Sequence, residues 1–335
     1  MQRSATPHQR SFDLFQEQPT RPESQAGRRS LRIGIFGLFG YGNLGNDGSL
    51  ESFLGFLRAA RPDAELCCIC YGGDIVSERF RLPALPIREP ERGGVFGKLD
   101  QALFHAPRRL GDLIRSVRIA RKFDVIIVPG TGILDDFGDR WSGMPLQLFN
   151  WGLAARLAGT PLAFVSIGAG PILHPLSRWL MKAAARMARY RSYRDRNSKD
   201  FMTGIGLRRP DDMVTPDLAF RLPRPEVAAQ AHGGKIIGLG VMGYSGWKHA
   251  QADGGAIYRG YVGKLGEFGA WLIGKGYGVR LIVGDDGDVQ AVKDVAGAIA
   301  AERGANGSDG IVAEPAASLT DVMRQIGETE LVVRF

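Results

Sequence analysis

Residues 31–37 read LRIGIFG, and they run into FGYGNLGND at 39–47 and GSLESFLGFLRAA at 48–60. The first stretch is short, apolar and rich in branched residues, the signature of a buried strand. The second is a glycine-rich turn. In the third, Leu50, Phe53, Leu54 and Leu57 recur at helical spacing. Strand, glycine turn and helix in that order open a doubly wound α/β domain.

The same rhythm repeats outward from this point. AELCCICY is a strand, residues 74–96 are a loop rich in Pro, Arg and Glu, and the basic stretch from Lys98 to Phe123 is mostly helical. DVIIVPG, PLAFVSIGAG and YRSYRD are further strands, and helical runs separate them. Residues 223–234 are rich in Pro, Ala and Gly and read as a linker. A second series follows, with KIIGLGVM, VRLIVGDD, GIVAEP and LVVRF as strands. The expected architecture is two doubly wound Rossmann-like domains facing a cleft: 31–222, then 235–335. Residues 1–30 are expected to form a disordered basic arm. The terminal apolar strand has no helix after it, so the second domain is expected to be truncated. Ligands of such sheets bind beyond the carboxyl ends of the strands.

Composition narrows the function classes. Hydrophobic residues make up 44% of the 335 and charged residues 23%, which excludes a disordered chain. A net charge of +8 favours anionic ligands without choosing among them. The three cysteines, Cys67, Cys68 and Cys70, share one strand, where neighbours point to opposite faces. They read as core residues in a reducing compartment, not as a metal cage or a disulfide framework. No apolar run is long enough to span a bilayer. A cytoplasmic protein is expected, at most peripheral to the inner face of the membrane.

Familiar catalytic signatures are absent. There is no Walker loop, no H-E-x-x-H and no G-x-S-x-G. Gly40, Gly42 and Gly45 fit G-x-G-x-x-G, but the acidic residue that should close the second strand is missing, which argues against a nicotinamide cofactor. The turn reads more generally as a helix start that offers N–H groups to an anion or a hydroxyl-rich ligand. Asn43, Asn46 and Asp47 could add side-chain hydrogen bonds there, or Asn46 or Asp47 could cap the helix. In PGTGILDDFGD, Gly132 allows close approach, and Asp135, Asp136 and Asp139 suit sugar hydroxyls, a metal or a capping turn. SIGAGPI, with Gly168, is another turn after a strand. In YRSYRDRNSKDF, Arg194 suits a carboxylate or phosphate through its bidentate fork, while Arg191 and Arg196 read as solvated or charge-partner residues.

Taken in order, GYGNLGNDGSL, PGTGILDDFG, SIGAGPI, Ser192–Ser198 as S-x-R-D-x-x-S, and Asp217, Ala219 and Phe220 resemble the polysaccharide pyruvyl transferase family. The resemblance implies a two-domain fold like that of B-type glycosyltransferases. It implies transfer of a pyruvyl group from phosphoenolpyruvate to a sugar of an exopolysaccharide or cell-surface glycan precursor, leaving a ketal. Arg194 and Arg334 would hold phosphoenolpyruvate, and Gly42, Asn43, Asp47, Gly132, Asp135 and Gly168 would line the acceptor side. The catalytic residue is left unassigned, because the family's His would fall just beyond Phe335. Phosphoenolpyruvate is a co-substrate, and no cofactor or metal is expected. The expected partners are phosphoenolpyruvate and a glycan or lipid-linked oligosaccharide, with membrane contact and without nucleic acid. The rival readings are a nucleotide-sugar glycosyltransferase, with an acid such as Glu314 on the ribose, and an inactive glycan-binding relative.

Overall fold

The strand at 31–37 spans Arg32–Phe36 (β1), and the turn after it delivers the chain into a helix over Leu44–Ala60 (α1). The pleat of β1 splits its side chains between two cores. Ile33 and Ile35 pack with Leu50, Phe53, Leu54 and Leu57 of α1, while Phe36 turns to the opposite face and meets Trp151 at 5.8 Å between ring centroids. Layers therefore cover both faces, as an all-parallel sheet requires.

The structure is a computed structural model describing residues 29–89, 106–137, 139–227, 235–246, 253–304 and 307–334. The first sheet adds β2 (Glu65–Cys70), β3 (Ala84–Pro86), β4 (Val125–Pro129), β5 (Leu162–Ile167), β6 (Tyr190–Tyr193) and β7 (Met213–Val214). All pairings are parallel, in the order β3-β2-β1-β4-β5-β6-β7. Its other helices are α2 (Gly73–Phe80), α3 (Ala106–Ala120), α4 (Met144–Ala158), α5 (Pro175–Met187) and α6 (Arg196–Gly204).

The second sheet holds β8 (Ile236–Gly240), β9 (Gly278–Ile282), β10 (Ile311–Val312) and β11 (Leu331–Arg334), again all parallel, in the order β10-β9-β8-β11. Helices α7 (Gly254–Gly274), α8 (Val289–Arg303) and α9 (Leu319–Gly327) accompany it. The chain thus folds into two separate doubly wound sheets, as the alternating pattern implies. Both belong to one compact unit over residues 31–335.

Some expectations change. The stretch from residue 74 is not a plain loop: α2 buries Val76 and Phe80, one turn apart, and β3 adds an edge strand. Prolines at 83 and 86 are tolerated there because an edge strand leaves one side unpaired. Arg191 is no solvated residue. It is 3% exposed and donates to both carboxylate oxygens of Asp212, at 2.8 and 3.1 Å, and to the carbonyls of Ala185 and Ala188. Cys68 and Cys70 are buried core thiols. The arm expected over 1–30 lies outside the described residues up to residue 28, as do residues 228–234 of the expected linker and Phe335. Among the described residues no helix is long and apolar enough to cross a membrane.

Candidate active site at the two switch points

In each sheet the strand order reverses once, between β1 and β4 in the first and between β8 and β11 in the second. Loops leaving adjacent strands in opposite directions open a crevice there. The turn after β1 carries Gly42, Asn43 and Asp47, and the turn after β4 carries Gly132 and Asp135. Arg334 closes β11, in register with Gly240 of β8. All of these residues stand at carboxyl ends.

The turn after β1 is tied to the second sheet. Asn43 caps α1, its Oδ1 accepting from the Asn46 N–H at 3.0 Å, so Asn43 is the cap and not Asn46 or Asp47. The Asn43 Nδ2 donates to Asp285 Oδ2 at 3.0 Å. Beside it, the Leu44 N–H donates to the Gly284 carbonyl and the Asp286 N–H to the Gly42 carbonyl, both at 3.0 Å. Gly42 has φ +85, and a Cβ there would lie 3.0 Å from the Asp286 side chain, so a side chain at this crossing would be both strained and crowded. Gly42 and Asn43 therefore form the seam between the sheets.

Asp47 departs from its expected role on the acceptor side. It is 3% exposed. Its Oδ1 accepts the Gly40 N–H at 2.8 Å, and its Oδ2 pairs with Arg79 at 3.3 Å. A buried carboxylate needs such partners, and here they hold the turn in shape. Burial pushes its pKa above the ordinary aspartate value. The Gly40 amide and Arg79 oppose that rise, and Asp286 adds to it.

The turns after β4, β5 and β6 converge. Gly168 lies directly under the Arg194 guanidinium: a Cβ built on it would meet Cζ, Nε and Nη2 at 2.8 Å. One built on Gly132 would lie 3.7 Å from Asp135 and 3.8 Å from Arg194. Arg194, Gly132, Gly168 and Asp135 thus gather at one mouth. Of the three acids in this region, Asp136 accepts the Leu173 and His174 N–H groups, at 3.0 and 2.9 Å. Asp139 accepts those of Arg140 and Met144, at 2.7 and 2.6 Å. Both fold loops. Asp135 accepts the Phe137 N–H at 3.0 Å. Among the described residues no group of His, Cys, Asp or Glu has the arrangement to hold a metal ion.

The S-x-R-D-x-x-S element divides its labour. Ser192 Oγ accepts the buried Ser166 N–H at 2.8 Å, and Ser198 Oγ accepts the Ala169 N–H at 3.0 Å. Asp195 caps α6 through the Ser198 N–H. These bonds fix the 166–169 turn, where Ser166 adopts φ +54, unusual for a residue with a side chain. Ser166 Oγ in turn donates to the Pro216 carbonyl. Arg194 is 39% exposed and reaches toward Asp217 Oδ2 at 3.4 Å and Asp195 Oδ2 at 3.7 Å. Asp217 also caps the short 3-10 turn at Leu218–Arg221. Sequence reading alone assigns no role to Ser166 or Asp217; the D-x-A-F-like element was the available signal for Asp217.

Around Arg334 the second sheet gathers Asp288, Tyr261 and the 241–243 turn. Asp288 accepts the Gly243 N–H at 2.7 Å, and the Tyr261 hydroxyl accepts the Met242 N–H at 3.2 Å. Burial raises the pKa of Asp288, Asp285 adds to the rise, and the Gly243 amide and Arg334 pull against it. Glu314, the candidate ribose ligand of the nucleotide-sugar alternative, is engaged elsewhere. Arg280 pairs with it at 2.9 Å and with Glu328 at 2.8 Å.

Among solved structures, the UDP-GlcNAc 2-epimerase from Methanocaldococcus jannaschii is similar, with TM-score 0.54 and 12% identity over 91% of this chain and 78% of that one. The Neisseria meningitidis UDP-GlcNAc 2-epimerase bound to UDP-GlcNAc gives 0.51 and 10%, over 90% and 77%. S. aureus MnaA, in a co-structure with UDP, gives 0.54 and 12%, over 91% and 73%. At these identities the likeness concerns the fold alone, two Rossmann-like units on the glycosyltransferase B-like plan. No curated protein matches the chain. The family model for polysaccharide pyruvyl transferase matches residues 43–333, from the Asn43 cap of α1 to the penultimate residue of β11, so the chain belongs to the polysaccharide pyruvyl transferase family.

Proposed function

We propose that the chain transfers a pyruvyl group from phosphoenolpyruvate to a sugar of an exopolysaccharide or cell-surface glycan precursor, forming a pyruvate ketal and releasing phosphate. One observation carries the reading: Arg194, 39% exposed, is laid over Gly168 at the carboxyl mouth of the first sheet, with Asp217 and Asp195 beside its guanidinium. Phosphoenolpyruvate bears a carboxylate and a phosphate, and a planar guanidinium meets either with two parallel hydrogen bonds. Arg334, at the matching end of the second sheet, is the second cation for the same anion.

In the reaction, C3 of the enol takes a proton and C2 becomes electrophilic. A sugar hydroxyl adds at C2 and loses its proton, phosphate departs with the C2–O electron pair, and a second hydroxyl closes the ketal and loses its own proton, so that the two protons released offset the one taken up at C3 and the one that leaves with phosphate. Positive charge on Arg194 and Arg334 holds the carboxylate and steadies the departing phosphate. Asp135, at the same mouth, is placed to accept from an acceptor hydroxyl. The nucleotide-sugar alternative has less support, because Glu314 is held by Arg280.

The test is phosphate release from phosphoenolpyruvate, assayed against a panel of soluble and lipid-linked glycans. Release that depends on a glycan and collapses in Arg194→Lys supports the reading. Turnover of a nucleotide sugar, with phosphoenolpyruvate inert, would replace it.

A further inference from the structure

A cavity of about 190 Å³ opens beside Arg88, and none of the site residues described above lines it. Arg88, Arg108, Arg109, Asp112, Ser142 and Gln147 line it. Three guanidiniums come together there around a single carboxylate. Arg88 follows edge strand β3, whereas Arg108 and Arg109 lie in the first turn of α3, so two separate elements bring the charges together. No acidic residue occupies that first turn, where a helix carries partial positive charge. Arg109 is set in place by Trp141, its Cζ 5.2 Å from the ring centroid. Stacking of this kind fixes the plane of a guanidinium and leaves its N–H edge for a ligand.

The Arg88 charge is felt by Tyr71, which follows β2, where it opposes the rise in pKa caused by burial. Tyr71 lies 6.3 Å, ring to ring, from Tyr41, and Tyr41 is 74% exposed between Gly40 and Gly42. Two aromatic rings thus connect the seam at Gly42 to a pocket built for an anion. Aromatic faces suit the apolar faces of sugar rings, and an arginine cluster suits phosphate oxygens.

We propose that the Arg88–Arg108–Arg109 pocket binds the phosphate or diphosphate of a phosphorylated glycan acceptor, whose sugar lies over Tyr41 and Tyr71. This assignment rests on the pyruvyl-transfer reading above and adds the substrate class. The phosphate can come from a soluble sugar phosphate or from a lipid-linked diphosphate. Leu110 and Ile114, one turn apart on α3, are 59% and 44% exposed beside the pocket, so a bilayer is a source worth testing.

The experiment is calorimetric titration of the full chain with inorganic pyrophosphate and, separately, with phosphoenolpyruvate. Wild type is compared with Arg88→Ala, Arg109→Ala and Arg194→Lys, and circular dichroism checks folding. Pyrophosphate affinity is expected to fall about 10- to 100-fold in the two pocket variants, the loss of one charge-assisted hydrogen bond each, and to hold in Arg194→Lys. Phosphoenolpyruvate affinity is expected to fall only in Arg194→Lys. Equal pyrophosphate affinity in wild type and both pocket variants overturns the proposal and leaves pyruvyl transfer standing. Because Arg88 is exposed, its truncation tests the site even where Arg109→Ala fails to fold. Phosphoenolpyruvate that does not bind, with pyrophosphate still tracking the pocket, overturns the reaction and keeps the anion site. Flotation with phosphatidylcholine vesicles, with and without a polyprenyl diphosphate, identifies the source. Recruitment by the diphosphate that needs Arg88 supports the site with a lipid-linked acceptor. Pyrophosphate binding without recruitment supports it with a soluble one.

Discussion

The Arg194 guanidinium rests on the Cα of Gly168, so closely that a Cβ at that position would meet three of its atoms at 2.8 Å. The obstacle is the far end of a flexible side chain and not backbone, and Gly168 lacks a positive φ. Gly168→Ala should therefore move Arg194 without disturbing the fold. The expected result is a stability change within about 1 kcal/mol and a rise of about 10- to 100-fold in KM for phosphoenolpyruvate. Chemical denaturation and steady-state kinetics read the two effects. Unchanged kinetics would mean that the pose of Arg194 does not matter to substrate.

The serines of the same element should behave in the opposite way. Ser192 is fully buried and supplies the acceptor for the Ser166 N–H. Ser192→Ala leaves that donor without a partner, a cost of about 1–3 kcal/mol. Arg194→Lys, on a side chain 39% exposed, should cost far less stability and far more activity. Urea unfolding of both variants gives the ranking. If Arg194→Lys were as destabilising as Ser192→Ala, Arg194 would join the residues that merely build the turn.

This division shows what a sequence discloses. The strand, turn and helix over 31–60 are legible because pattern and glycine placement are local signals. Helix α2 is harder to see, because only Val76 and Phe80 face inward among many charged neighbours. The turn residues advertise polarity but not direction. Asn43 and Asp47 both look like ligand groups, yet one caps a helix and bridges to Asp285, 242 residues away, and the other is buried against Gly40 and Arg79. The resemblance brings attention to Ser192–Ser198. It takes the structure to show that the serines hold backbone and that Asp217 meets Arg194 from another loop.

Asp47 should leave a trace in the pH dependence of stability. Burial raises its folded-state pKa above the ordinary 3.8. Between the unfolded and folded values the native state holds more protons than the unfolded chain. The contribution of Asp47 to stability is therefore greatest in acid and falls as pH rises through the folded value. Asp47→Asn removes this titration while keeping the shape of the neutral carboxyl. The expected signature is a difference in unfolding free energy, wild type minus variant, that declines from about pH 3.8 upward and then levels off. Denaturant melts at a series of pH values measure it. A difference that climbs with pH would show that Gly40 and Arg79 outweigh burial.

The two arginines offer the sharpest test, because they belong to different sheets. Arg194 follows β6, and Arg334 ends β11 opposite Gly240. If both grip one phosphoenolpyruvate, Arg194→Lys and Arg334→Lys should each weaken its binding by about 10- to 100-fold, since an ammonium keeps the charge but loses the fork. The double variant then carries the stronger information. Residues that share a ligand couple, with interaction energies of about 0.5–3 kcal/mol, while independent sites add to within about 0.5 kcal/mol. Once Lys replaces one arginine, the small anion is free to shift in the cleft, so the second replacement should cost less than it does alone. Calorimetric titration of wild type, both single variants and the double variant gives the cycle directly. Strict additivity would place Arg334 outside the site and leave Arg194 to hold the anion with groups of the first sheet alone.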